Sequence, residues 1–315
     1  MTYSQYNELD LINILVCMCL EEELDGIENV FTKHGYNLIS IDRNIDTSVG
    51  TIKYDLIISN KLKEYSLGFE LKGNKASNLE TDQLEKYKNV SSSELVKFGG
   101  LNSFNSEEHK LQTIIGINNH SSENVISFLE EQNYSFPVLA VDTSNIQIKH
   151  IRIIDNEINN VFKSPLIYKS FISLIKYDKD TPLENIAPDL IAIILKYSLE
   201  GKSNFTVDEV IDDLYCSIPN VFQIIGGDVK KAVRRKIIKL LDRLSKTELS
   251  VYLEWDSINQ YWYIHRLHPD AHPNTLSSFR EKGVAFVNRI REGKAYKQAQ
   301  VNAGQLSLFD EDEYN

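Results

Sequence analysis

Through its first 150 residues the chain alternates short apolar runs with stretches of helical periodicity, a pattern that confines it to a sheet covered by helices. Leu9 to Lys33 reads as helical, with Leu20, Leu24, Ile27 and Phe31 at helical spacing and Gly35 as the stop. Tyr36 to Ile41 reads as a strand followed by a polar turn. Ile52–Ser59 and Tyr65–Leu71 read as two strands joined across Asn60-Lys61-Leu62-Lys63. A helix over Leu79–Asn89, a strand over Thr113–Asn118, a helix over Glu123–Gln132 and a buried strand over Pro137–Val141 complete the series. The expected fold class is therefore α/β, a mixed sheet flanked by helices.

A second pattern begins beyond the prolines scattered through Lys163–Pro188. Helices are expected over Asp189–Leu199, over Val207–Leu214 with Thr206 as N-cap, and over Asp228–Leu244. Leu249–Trp255 and Tyr261–Arg266 then form a hairpin. Three helices and a hairpin make a winged-helix-like α+β layout, a relative of helix-turn-helix. A last helix over Leu276–Gln300 follows Pro269 and Pro273. The expected divisions are a first domain over 1–160, a linker over 161–188, a winged-helix-like domain over 189–270, a C-terminal helix over 271–301 and a disordered tail over 302–315.

The net charge of -11 argues against a polyanionic partner until its distribution is considered. Residues 1–160 hold 13 Lys+Arg against 24 Asp+Glu, whereas the remainder holds 21 of each. Because Asp310–Glu313 crowd the terminus, the folded part of the second half is net basic. No run approaches the roughly 20 apolar residues of a membrane span. Leu11–Leu20 lacks the basic flank of a signal peptide, and three cysteines make no disulfide framework. These features point to a cytoplasmic protein with no membrane partner.

Asp55 opens the apolar run Leu56-Ile57-Ile58, and the next strand reads Leu67-Gly68-Phe69-Glu70-Leu71-Lys72. Strand side chains alternate, so Glu70 and Lys72 share a face, and Asp55 can join them from a neighbouring strand. Two carboxylates beside one lysine suit hydrolysis of a phosphodiester. Asp55 and Glu70 would be the metal ligands, holding Mg2+ (or Mn2+ as its substitute) through oxygen. The lysine would stabilise charge growing on phosphorus or orient the attacking water.

At these residues the sequence resembles the PD-(D/E)XK nuclease superfamily, in which an Asp strand precedes a Glu-X-Lys strand. The resemblance covers about residues 10–150 and implies a restriction-endonuclease-like order of helix, three strands, helix and strand, with metal-dependent DNA cleavage as the activity. Tyr54 departs from the family, which usually has proline before the aspartate. Gln83 and Tyr87 lie at i and i+4 on one helical face. The same Gln-X-X-X-Tyr stands beside the active site in the exonuclease-like branch. The family also carries a glutamate on its first helix. Glu23 fits that spacing before Gly35, with Glu21, Glu22 and Glu28 as competitors.

In the second half, the helix Asp228–Leu244 carries Lys230, Lys231, Arg234, Arg235, Lys236, Lys239 and Arg243, opposite an apolar side of Val233, Ile237, Leu240, Leu241 and Leu244. As the third helix of a winged-helix unit it would lie against DNA, its basic residues on phosphates or base edges. A solvated face is the alternative. Near the terminus, Gln305-Leu306-Ser307-Leu308-Phe309 resembles the pentapeptide by which bacterial polymerases and repair proteins dock on the sliding clamp. His265, His268 and His272 make no zinc pattern, and Gly226-Gly227 lacks the Gly-Lys-Ser/Thr of a phosphate loop.

The expectation is a Mg2+-dependent DNA endonuclease of restriction, anti-phage defence, repair or a mobile element, recruited by the clamp. A homodimer would serve a double-strand cut. The alternatives are an inactive nuclease-fold adaptor binding DNA and the clamp, or a transposon-end nuclease subunit.

Overall fold

The computed structural model describes residues 6–73, 79–98, 108–215 and 224–302, without the side chains of 95, 98 and 294–302. The chain divides into two units, residues 1–176 with 217–230, and residues 177–216 with 231–315.

The first unit is an α/β fold built on seven strands. In chain order its elements are α1 (Glu8–Cys17), α2 (Val30–Lys33), β1 (Asn37–Thr47), β2 (Gly50–Asn60), β3 (Tyr65–Lys72), α3 (Thr81–Asn89) and α4 (Ser92–Phe98). Then follow β4 (Lys110–Asn118), α5 (Ser122–Glu131), β5 (Val138–Val141), β6 (Asn145–His150), α6 (Asn156–Lys163) and β7 (Leu166–Ile167). The strands lie side by side in sequence order. β2 runs antiparallel to both β1 and β3, β4 and β5 run parallel to β3, β6 is antiparallel to β5, and β7 is antiparallel to β6. Parallel neighbours need a crossover, and α3–α4 and α5 provide the two. Tyr54, Ile57, Leu84, Tyr87, Ile115 and Leu129 belong to a core between the sheet and these helices.

Two stretches differ from the sequence expectation. The helix read over Leu9–Lys33 ends at Cys17, and residues 18–29 wrap irregularly before α2. Asn29 holds that wrap by donating from Nδ2 to the carbonyls of Leu20 (3.2 Å) and Glu21 (3.0 Å). Gly26, at φ +100°, turns the chain where an added Cβ would lie 2.6 Å from Ser170 Oγ. Ile27 and Phe31 therefore reach the core without a shared helix. The polar turn expected after Ile41 is instead the continuation of β1, which pairs Ile45 with Ile52 and closes on Gly50 at φ +102°. Helices α4 and α6 and strands β6 and β7 are additional to the sequence expectation, although Asp155 as N-cap and Ile158 and Phe162 at i, i+4 are a signal for α6.

The second unit contains α7 (Leu183–Leu199), β8 (Asn204–Phe205), α8 (Val207–Leu214), most of α9 (Gly227–Lys246), β9 (Leu253–Asp256), β10 (Tyr261–Ile264) and α10 (Pro273–Asn302). Its strands order as β8-β10-β9. Thr206 caps α8 as expected. Its hydroxyl accepts the Glu209 N–H, and the Glu209 carboxylate accepts the Thr206 N–H at 2.7 Å. Helix α7 starts six residues before the expected Asp189, with Pro188 inside it. Val233, Ile237, Leu240, Leu241 and Leu244 of α9 are all buried, each worth about 1.5–3 kcal/mol of burial. Among the described residues no helix is long and apolar enough to cross a membrane.

Candidate functional site

The β2–β3 ladder stops at Leu56 and Phe69, although both strands continue. Asp55 follows Tyr54 on β2 and Glu70 follows Phe69 on β3, so the two carboxylates stand where the strands part. The Asp55 side chain replaces the missing ladder bond, its Oδ2 accepting the Leu71 N–H at 2.6 Å. Glu70 uses both oxygens. Oε1 pairs with Lys72 Nζ at 2.5 Å, and Oε2 accepts from Gln83 Nε2 at 3.0 Å and from the Tyr87 hydroxyl. Gln83 Nε2 also lies 2.6 Å from the Tyr87 oxygen, and that hydroxyl meets the Lys53 carbonyl as well. Asp55, Glu70, Lys72, Gln83 and Tyr87 are thus brought together from β2, β3 and α3.

Tyr54, the residue before Asp55, packs against this cluster. Its ring stacks on Tyr87 at 4.7 Å and its hydroxyl bonds Thr113 Oγ1 at 2.9 Å. The ring lies on Gly68, where an added Cβ would meet it at 2.7 Å. Gly68 is therefore the space in which Tyr54 sits, and Tyr54 is the floor that fixes Tyr87.

Asp55 and Glu70 are 4% and 1% exposed, which is costly for two carboxylates unless charge compensates them. Burial raises the Asp55 carboxyl well above its ordinary range, and the charges of Glu70 and Glu8 add to this against the Leu71 N–H and Lys53. For Lys72 burial alone would lower the pKa. The Glu70 charge and hydrogen bond, with Asp55 and Glu8, overcome it, so the ammonium is held above its usual value. Burial, then the charge of Glu70, keeps the Tyr87 phenol protonated and donating. Among the described residues no three His, Cys, Asp or Glu side chains are placed to hold a metal together. The donor set nevertheless fits a hard cation that binds through one or two carboxylates and keeps its waters, since the acidic charge of Asp55, Glu70 and Glu8 exceeds that of Lys72 and Lys53.

The structure does not bring Glu23 into this group. Glu23 lies beyond the end of α1, where it pairs with Lys33 at 2.9 Å on the surface. The first-helix glutamate whose charge reaches the cluster is Glu8, the first residue of α1. It was missed because the helix was read from Leu9. The signal was present in Asn7 and Asp10, which form a capping box around it. Lys53, two residues before Asp55 on β2, pairs with Asp42, and its charge still reaches Asp55.

A model of the MJECL32 domain matches residues 7–177, more than half of the chain. The chain belongs to the MJECL32 domain family. No curated protein and no solved structure matches it. The MJECL32 domain begins one residue before Glu8 and contains all seven strands and every member of the cluster.

Helix α9 lies outside the MJECL32 match. Lys231 and Arg235 are exposed and make no ion pair among the described residues. Arg234 is taken up by Asp208, and Lys236 donates to the Lys179 and Thr181 carbonyls. Lys230 is partly buried, which lowers its pKa with help from Arg43. Lys239 and Arg243 are part-buried and make further interactions. The expected phosphate-contacting face therefore narrows to Lys231 and Arg235, with Arg234 if it leaves Asp208. Gln305, Leu306, Leu308 and Phe309 lie outside the described residues. Gly226 is no phosphate loop: its N–H bonds the Ile41 carbonyl at 2.8 Å, and a Cβ would collide with the Asp42 carbonyl.

Proposed function

We propose that this protein is a Mg2+-dependent DNA nuclease with Asp55, Glu70 and Lys72 at its active site. The observation that carries the reading is the convergence of two buried carboxylates and one lysine where β2 and β3 part, with Gln83 and Tyr87 both bonded to Glu70. The order α1, three antiparallel strands, α3, a parallel strand, α5 and a further parallel strand agrees with the resemblance to the PD-(D/E)XK superfamily.

Asp55 and Glu70 would hold the cation, with Glu8 as a third acidic group nearby. Bound Mg2+ supplies Lewis-acid polarisation of a phosphate oxygen and a more acidic water. The protein's own part is to orient and to hold charge. Gln83 and Tyr87 fix Glu70, the Leu71 N–H fixes Asp55, and Lys72 keeps its proton. An ammonium so held is no general base at neutral pH, so Lys72 acts on negative charge at the phosphate. Plasmid DNA incubated with the purified protein and Mg2+ should be cleaved, and binding without cleavage would favour the adaptor reading.

DNA is held, in this reading, by α9. Replacing both Lys231 and Arg235 by alanine is expected to weaken DNA binding and to lower the slope of log affinity against log salt by about 2. Both side chains are exposed, so the fold should survive. An unchanged slope would remove this face from the interface. Recruitment by the sliding clamp through Gln305–Phe309 belongs to the same proposal on sequence grounds. Leu308→Ala with Phe309→Ala should abolish clamp pull-down, and persistent binding would reject it.

A further inference from the structure

We propose that Asn118 is a positioning residue for the cluster: its carboxamide locks the start of α1 onto the end of β3 and so sets Glu8 beside Lys72 and Asp55. The inference rests on the nuclease reading and adds to it a residue whose side chain bonds main-chain groups of Tyr6 and Gly73.

Asn118 is the last residue of β4, in the middle of the sheet, and is 3% exposed. Its neighbour Ile117 pairs with Lys72 on one side, and Asn118 itself pairs with Val141 on the other. The backbone that presents it is therefore fixed from both sides. Its side chain spans three main-chain groups. Oδ1 accepts the Tyr6 N–H at 3.1 Å, while Nδ2 donates to the Tyr6 carbonyl at 2.7 Å and to the Gly73 carbonyl at 2.5 Å. A planar amide with one acceptor and two donors matches that set, and a carboxylate would instead face two carbonyl oxygens.

The segment so tied is short. Tyr6 is followed by Asn7, whose Oδ1 accepts the Asp10 N–H at 2.9 Å, and Asp10 returns a bond to the Asn7 N–H at 3.0 Å. Glu8 comes next and opens the helix. On the other side of the tie, Gly73 follows Lys72 directly. A Cβ added at Gly73 would stand 3.0 Å from the Glu8 nitrogen and 3.1 Å from Asn7 Cα, so the two backbones touch there. Without the Asn118 tie, Tyr6 would lose both main-chain bonds to the end of β4. Its hydroxyl contacts with Thr143 and Tyr168, its ring against Phe171 and the buried face of α1 would keep the helix docked, but the turn that carries Glu8 would be held less closely against Gly73.

A merely structural asparagine and a positioning one differ in how they couple to Glu8. Mn2+ binding by calorimetry without DNA, and plasmid cleavage with Mg2+, would be measured on the full chain for wild type, Asn118→Ala, Glu8→Gln and the double variant. Asn118→Ala and Glu8→Gln are each expected to weaken Mn2+ binding and cleavage by about 10-fold or more. The double variant should be no worse than the poorer single by more than about 3-fold, because both remove one interaction. Asn118→Ser, small and uncharged but too short to span all three groups, should match Asn118→Ala, and a cooperative thermal melt of each variant guards against one that fails to fold. Losses that multiply in the double variant, or Asn118 variants that bind and cleave like wild type, overturn the positioning role alone. A wild type that neither binds Mn2+ nor cleaves overturns the nuclease reading, and this inference with it.

Discussion

Lys72→Ala is expected to lower Mg2+-dependent cleavage of plasmid DNA by about 10²–10³-fold, the usual cost of removing one group that stabilises transition-state charge. DNA binding should stay near the wild-type level, because the face assigned to binding is on α9. The reason lies in the protonation of the lysine. Its ammonium is mostly buried yet held above its usual pKa by Glu70, Asp55 and Glu8, so in the proposed reaction it would be charged. Removing it also leaves Glu70 buried with only Gln83 and Tyr87 as donors, and breaking a buried pair from one side costs about 3–5 kcal/mol. Cleavage must therefore be assayed well below the melting temperature of the variant. Single-turnover cleavage at the wild-type rate by a folded Lys72→Ala protein would remove Lys72 from the site.

The members of the cluster that could be read from sequence are those joined by local periodicity. Glu70 and Lys72 are two apart on one strand, and Gln83 and Tyr87 four apart on one helix, and each rule fixes a shared face. Asp55 needed only that its strand be the neighbour of theirs. The apolar side of α9 was legible for the same reason. Glu8 and Asn118 were not, because their importance comes from contacts between residues more than 40 apart, through Gly73. Glu23 misled through spacing that imitates a helix across residues 18–29, where Asn29 and Gly26 shape an irregular wrap instead. Pro188 misled in the opposite sense. It was read as a boundary, but a single missing N–H within the second turn of α7 did not end a helix with Ile186, Ala187, Leu190 and Ile194 to bury.

Asp55→Asn is expected to abolish cleavage and, in the absence of metal at pH 8, to raise the melting temperature. The Asp55 carboxyl is lifted by burial first, and then by the charges of Glu70 and Glu8. A carboxyl that is easier to protonate in the folded chain than in the unfolded one favours the fold below the unfolded value, about 3.9. That contribution is lost as pH rises through the raised folded value. Asparagine imitates the neutral form and still offers an oxygen to the Leu71 N–H, so it keeps the hydrogen bond and sheds the buried charge. The advantage over wild type should therefore be widest at alkaline pH and close as pH falls toward 4, each kcal/mol relieved appearing as about 2–4 °C. Adding Mg2+ should reverse the ranking. A cation bound only by the folded wild type stabilises it by about 2.7 kcal/mol at 100 times its dissociation constant, and the variant should gain little. Thermal melts at pH 4.5 and 8, each with and without Mg2+, would check both halves. An Asp55→Asn protein that melts below wild type at pH 8 without metal would contradict the buried-charge account, and one that still gains stability from Mg2+ would place the cation elsewhere. On the proposed reading, the carboxylate that would hold the cation is, without it, a cost to the fold that contains it.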